Sequence, residues 1–185
     1  MATGLTFRTN SEPRLPAFFY RLSSRAQRTY LKSDEVERFD IIPSPTTRDA
    51  MNSLMRALET GNLATTTTFA RALTAEICRT LGAPPVSVEV RGVRPRNTRG
   101  ELHGLFYPYD PRRRTPPSIV LWMRTAQRHE VVKPRTFLRT LLHELCHYLD
   151  YSHLKLEDSY HTMGFFKRES FLVRSLIGSE KKAEK

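Results

Sequence analysis

The 185-residue chain carries 30 Lys and Arg against 19 Asp and Glu, for a net charge of +11, with 39% hydrophobic and 10% aromatic residues. That balance fits a single globular domain, able to bury about 70% of its unfolded surface, and excludes wholesale disorder. No apolar run is long enough for a membrane span or, in the first fifteen residues, for a signal peptide, and two cysteines, Cys78 and Cys146, exclude a disulfide framework.

Residues 1–15 are expected to form a flexible N-terminus, 16–177 one domain, and 178–185 ("GSEKKAEK") a charged flexible tail. The mixed aromatic and charged segment 17–43 is expected to be helical. In "TTRDAMNSLMRALETG", Met51, Leu54, Met55 and Leu58 line one helical face and Gly61 is a stop signal. A second helix runs from the threonines at 65–68 to Leu81, burying Phe69, Leu73 and Ile77. The period then changes. "VSVEV" (86–90) alternates as a strand does, "RGVRPRNTRG" reads as a basic loop, and "ELHGLFYPY" reads as a strand with a weak point or bulge at Gly104. "IVLWM" (119–123) is the clearest strand. Pro134 suits the first turn of a long helix whose stripe is Leu138, Leu141, Leu142, Leu145 and Leu149. The expected class is α+β, with N-terminal helices, a sheet of three or more strands and two further helices.

Four of the six histidines fall between residues 139 and 170, and His143, Glu144 and His147 form H-E-x-x-H on that long helix. Residues four apart share a helical face, so both imidazoles can address one ion while Glu144 takes a proton from an activated water. Ligand type favours one zinc ion. A third ligand must come from His153, Glu157, Asp158, His161 or Glu169. His153 follows His147 at the spacing of a motif that turns on glycine, but Asp150 occupies the turning position, so a continuing helix carries His153 away. His161, expected on the inner face of a helix with Phe165 and Leu172, is favoured. Glu169 is the runner-up, as a ligand or as the group that orients one.

"TLLHELCHYLDY", with "IVLWM" before it and "HTMGFF" after, resembles the SprT-like zincin metallopeptidases over about residues 65 to 175. The resemblance implies a zincin-like fold, zinc on His143, His147 and His161, Glu144 as general base, and an aromatic residue, here Phe165, four positions after the third histidine. It also implies proteolysis of DNA-associated proteins. Two departures stand out: Thr162 replaces a usual glycine, and the cysteines are too few for the zinc ribbon of many relatives.

The chemistry expected is peptide-bond hydrolysis, with metal affinity and activity lost together in mild acid because ligating imidazoles must be neutral. Tyr160, beside His161, is the candidate oxyanion donor, against aromatic packing for it, Tyr148 and Tyr151. "ELHGLFY" is the candidate edge for pairing an extended peptide, against an ordinary internal strand. Cys146 reads as a buried thiol and Trp122 as core. Segment 91–140 holds twelve Lys or Arg against three acids, a local excess of nine that points to DNA or an acidic surface as a partner. The competing readings are a basic nucleic-acid-binding module whose structural metal is closed by Asp158 or Glu169, and a zincin-shaped interaction protein without catalysis. No membrane partner is expected, and the location is expected to be cytoplasmic.

Overall fold

The computed structural model describes residues 15–97 and 100–177. The expected flexible N-terminus, save Leu15, and the charged tail lie outside the described residues. Helix α1 spans Ser24–Glu35, and the Ser23 hydroxyl caps it by accepting from the Ala26 N–H. The single helix expected over 17–43 is therefore corrected. A short 3-10 turn, Phe19–Arg21, precedes Ser23, and from Val36 to Ser44 the chain is in neither helix nor strand before α2 begins.

Helix α2 (Pro45–Thr60) starts on a Ser44 cap and stops at Gly61, whose φ of 66° is left-handed backbone that glycine adopts without a Cβ penalty. Helix α3 (Leu63–Thr80) is capped by Asn62. Leu54, Leu58, Leu73 and Ile77 are fully buried, whereas Met55 and Phe69 lie at the core's margin.

Strand β1 is Ser87–Val93, with Val88 and Val90 inward. The loop expected over 91–100 is partly strand: β1 continues to Val93, and β2 (Arg96–Asn97) pairs antiparallel with β3 (Gly100–Glu101). Strand β4 (Gly104–Tyr107) and β5 (Ser118–Arg124) complete a three-stranded sheet in the order β1-β5-β4. β5 runs parallel to β1 and antiparallel to β4, which leaves β4 on an edge. Central β5 is buried from Ile119 to Met123, with Ile119, Leu121 and Met123 in the shared core and Arg91 over the Trp122 ring.

Helix α4 (Pro134–Ser152) lies against β4 and β5, and α5 (Met163–Ile177) packs on α1 and α4. One apolar core runs from Phe39 to Leu176. Among the described residues no helix is long and apolar enough to cross a membrane.

Candidate metal centre

The leucine stripe of α4 sets its rotation. Leu138, Leu141, Leu142, Leu145 and Leu149 are all fully buried, so His143 and Glu144 face the cleft between α4 and the sheet edge, with His147 one turn further along the helix. His161 reaches the same point at the end of the return loop that follows α4. The sequence pattern places it inside the next helix, but that helix begins at Met163, so His161 precedes it. Thr162 is the helix cap, with Oγ1 accepting from the Phe165 N–H at 3.0 Å and its carbonyl accepting from Phe166 at 3.2 Å. Its hydroxyl also lies 3.4 Å from Ser33 Oγ in the interior, which gives the threonine a role glycine lacks.

The three imidazoles converge through one kind of nitrogen. His147 Nε2 and His161 Nε2 are 3.0 Å apart, and His161 Nε2 and His143 Nε2 are 3.1 Å apart. Nitrogens on a tetrahedral zinc are roughly 3.3 Å apart, given Zn–N bonds near 2.0–2.1 Å. The three nitrogens are therefore close enough to hold one metal ion. Among the described residues these three histidines are the group able to hold a metal, and neither Asp158 nor Glu169 joins it. Phe165, fully buried, forms the floor, with ring centroids 5.2, 4.6 and 5.0 Å from those of His143, His147 and His161.

Each α4 ligand is held from behind. His143 Nδ1 donates to Glu169 Oε2 at 3.1 Å, and Arg139 Nε donates to the other Glu169 oxygen at 3.1 Å. Burial pushes the Glu169 carboxyl up, but His143 and Arg139 together hold it below the usual carboxylate range. Glu169, the runner-up ligand, is thus an orienting group. His147 Nδ1 lies 2.7 Å from Ser159 Oγ, which lies 2.6 Å from Asp150 Oδ2. Arg168, 0% exposed, contacts both Asp150 oxygens at 2.8 Å. Burial, the neighbouring imidazoles and Arg168 push His147 down to about 3, and burial followed by His143 lowers His161. These rings are kept neutral, the form that binds metal.

Glu144 is 8% exposed and borders a cleft of about 430 Å³ lined also by Glu101, His103, Gly104, Arg139 and Thr140. Burial raises its carboxyl above the ordinary value, opposed by His143 and by a hydrogen bond from the Phe106 N–H. Gly104 lets α4 approach β4. A Cβ there would lie 2.8 Å from Thr140 Cγ2 and 2.9 Å from the Glu144 Cγ and Oε1 atoms. The weak point expected in this strand is therefore where it meets the candidate base.

Other candidates lie elsewhere. α4 continues to Ser152, and His153 packs edge-on against Phe39 at 6.1 Å. Glu157 pairs with Arg25, and Asp158 accepts from the Tyr151 hydroxyl. The Tyr160 ring is not brought to the cluster: it packs on Tyr30 at 5.6 Å and lines a separate groove with Ser23 and Arg25. Tyr148 donates to the Pro84 carbonyl. Cys146 and Cys78 are buried, free thiols, and burial pushes Cys78 up to about 11. Part of the basic excess is engaged internally, Arg91 with Glu89, Arg94 with Glu101, and Arg124 with the Gly61 and His129 carbonyls.

No family model matches the chain, and neither the curated proteins nor the solved structures include a match. Sequence reasoning passed over Arg139, Ser159 and Arg168 and read Asp150 only as a turn residue. The available signal was polarity out of place: Asp150 follows Leu149 on the buried side of α4, and Arg168 sits between Phe165 and Leu172 on the buried stripe of α5.

Proposed function

We propose that this chain is a zinc-dependent metallopeptidase of the SprT-like zincin kind, with His143, His147 and His161 holding one zinc ion and Glu144 as general base. The observation that carries the reading is the meeting of three Nε2 atoms within 3.1 Å contacts, beside a buried carboxylate on an open cleft. When bound, zinc supplies a Lewis acid that acidifies water and polarises a scissile carbonyl. The Glu144 carboxylate accepts the proton of the attacking water and delivers it to the departing amine. Its raised proton affinity suits both halves of that transfer.

The β4 edge supports a peptide substrate. The Trp122 N–H bonds the His103 carbonyl, so by antiparallel alternation in this register the backbone groups of Gly104 and Phe106 face away from the sheet. An extended chain laid along them would pass the candidate base. DNA-associated proteins are the substrate class the SprT-like resemblance implies, and the exposed Arg112 and Arg114 are cations of segment 91–140 available to a polyanion. A closed structural site lacks support, because Glu169 is taken by His143 and Arg139, and Asp158 by Tyr151.

The test is zinc content together with cleavage of casein and of a DNA-bound protein, for wild type and Glu144→Gln. Unchanged zinc with abolished cleavage is expected. Equal cleavage by the two proteins removes Glu144 as the base, and absence of zinc from the wild type removes the centre.

A further inference from the structure

We infer that Ser159 is a positioning residue that sets the tautomer of His147 by passing on the charge of the buried Asp150–Arg168 pair. The inference rests on the metal-centre reading for its purpose, but its geometry is independent of catalysis.

The direction of each hydrogen bond follows from what its partners can do. Arg168 has donors only and stays charged, and it is buried on the far side of Asp150. It also donates to the Ser33 carbonyl at 2.8 Å and the Val36 carbonyl at 3.0 Å. A buried guanidinium needs a counter-charge, and Asp150, touched at both oxygens, is the carboxylate placed to supply it. A carboxylate only accepts, so the Ser159 hydroxyl spends its one hydrogen on Asp150 Oδ2 at 2.6 Å. Toward His147, 2.7 Å away, the same oxygen has only a lone pair to offer. His147 must therefore carry its hydrogen on Nδ1, and its Nε2 lone pair is left pointing at His143 and His161.

The two α4 ligands thus reach a carboxylate by different routes. His143 meets Glu169 directly. His147 meets Asp150, which lies on the same helix and is gripped by Arg168, through one hydroxyl. A residue of the return loop supplies it. Ser159 is held in place by its own N–H bonded to Asp158 Oδ1 at 2.8 Å, while Leu156 N–H bonds the Asp150 carbonyl at 2.8 Å. The loop that delivers His161 therefore also orients His147.

The experiment uses the full chain. Imidazole nitrogen shifts are recorded on the metal-free protein, and zinc dissociation constants are measured by chelator competition, for wild type, Ser159→Ala and Ser159→Thr. His147 is expected as the Nδ1–H form in wild type and in Ser159→Thr, which keeps the hydroxyl. In Ser159→Ala that form gives way to a mixture, and zinc binding weakens about 10- to 100-fold. An unchanged His147 tautomer in Ser159→Ala, or a zinc dissociation constant within twofold of wild type, overturns the assignment. Failure of wild type to bind zinc would instead strike the metal centre, with the nitrogen shifts still deciding the role of Ser159.

Discussion

Gly104 and Glu144 touch because one of them has no side chain. A Cβ on Gly104 would stand 2.9 Å from the Glu144 Oε1 and Cγ atoms, closer than such contacts are made. The edge strand, the motif helix and the candidate base are packed to that tolerance.

Gly104→Ala should therefore displace Glu144 while leaving the three imidazoles alone. Since misplacement of a reacting group by about 1 Å can cost 100-fold, kcat/KM should fall by about that factor with zinc content unchanged. Peptide-cleavage kinetics beside metal analysis decide the matter; full activity in Gly104→Ala would show that the packing of Glu144 is irrelevant.

His161 and His153 separate the loop ligand from its neighbour. His161 Nε2 lies within 3.1 Å of both other ring nitrogens, whereas His153 packs on Phe39. His161→Ala should lose stoichiometric zinc, and His153→Ala should retain it. The reverse pattern in metal analysis would dismantle the proposed ligand set.

Glu169 bonds His143 Nδ1 and stands outside the three-histidine cluster. Its removal in Glu169→Ala frees the His143 ring and strips Arg139 of its partner. Zinc affinity should drop about 10- to 100-fold, a loss of grip rather than of a ligand. Chelator competition tests this, and an affinity equal to wild type would refute it.

Acid should weaken the metal-free fold through His147. Unfolded, this imidazole protonates near 6.5; folded, it stays neutral until about 3. Between those values the unfolded chain binds the extra proton, so His147 makes stability fall as pH drops from 6.5 toward 3 and has no effect above that window. Denaturant midpoints of metal-free wild type and His147→Gln across this range supply the check. The wild type should show the steeper decline, and identical slopes would contradict the prediction. The same neutrality displaces the acid loss of zinc at His147 below the mild-acid range expected for an ordinary imidazole.

How much of this was legible beforehand depends on the distance over which each feature is decided. H-E-x-x-H, the leucine stripe of α4 and the alternation of β1 are local, because helical and strand periods alone place those side chains together. The cap at Ser23 and the cap at Thr162 are equally local, yet both sit inside segments whose residue pattern predicts unbroken helix. Thr162 then moved His161 from a helix face to a loop end, without moving it from the cluster.

The pairing of His143 with Glu169 and the chain from Arg168 to His147 depend on where α5 packs against α4, and no period in either helix encodes that contact. The edge position of β4 was likewise settled by strand order, β5 having inserted between β1 and β4. The sequence by itself determined which atoms can bind a metal, since four-residue spacing on a helix aligns two imidazoles. Only the tertiary structure decided which third residue completes the set and which carboxylates hold the rings, because those groups come from segments 12 to 30 residues apart that meet only when the core closes.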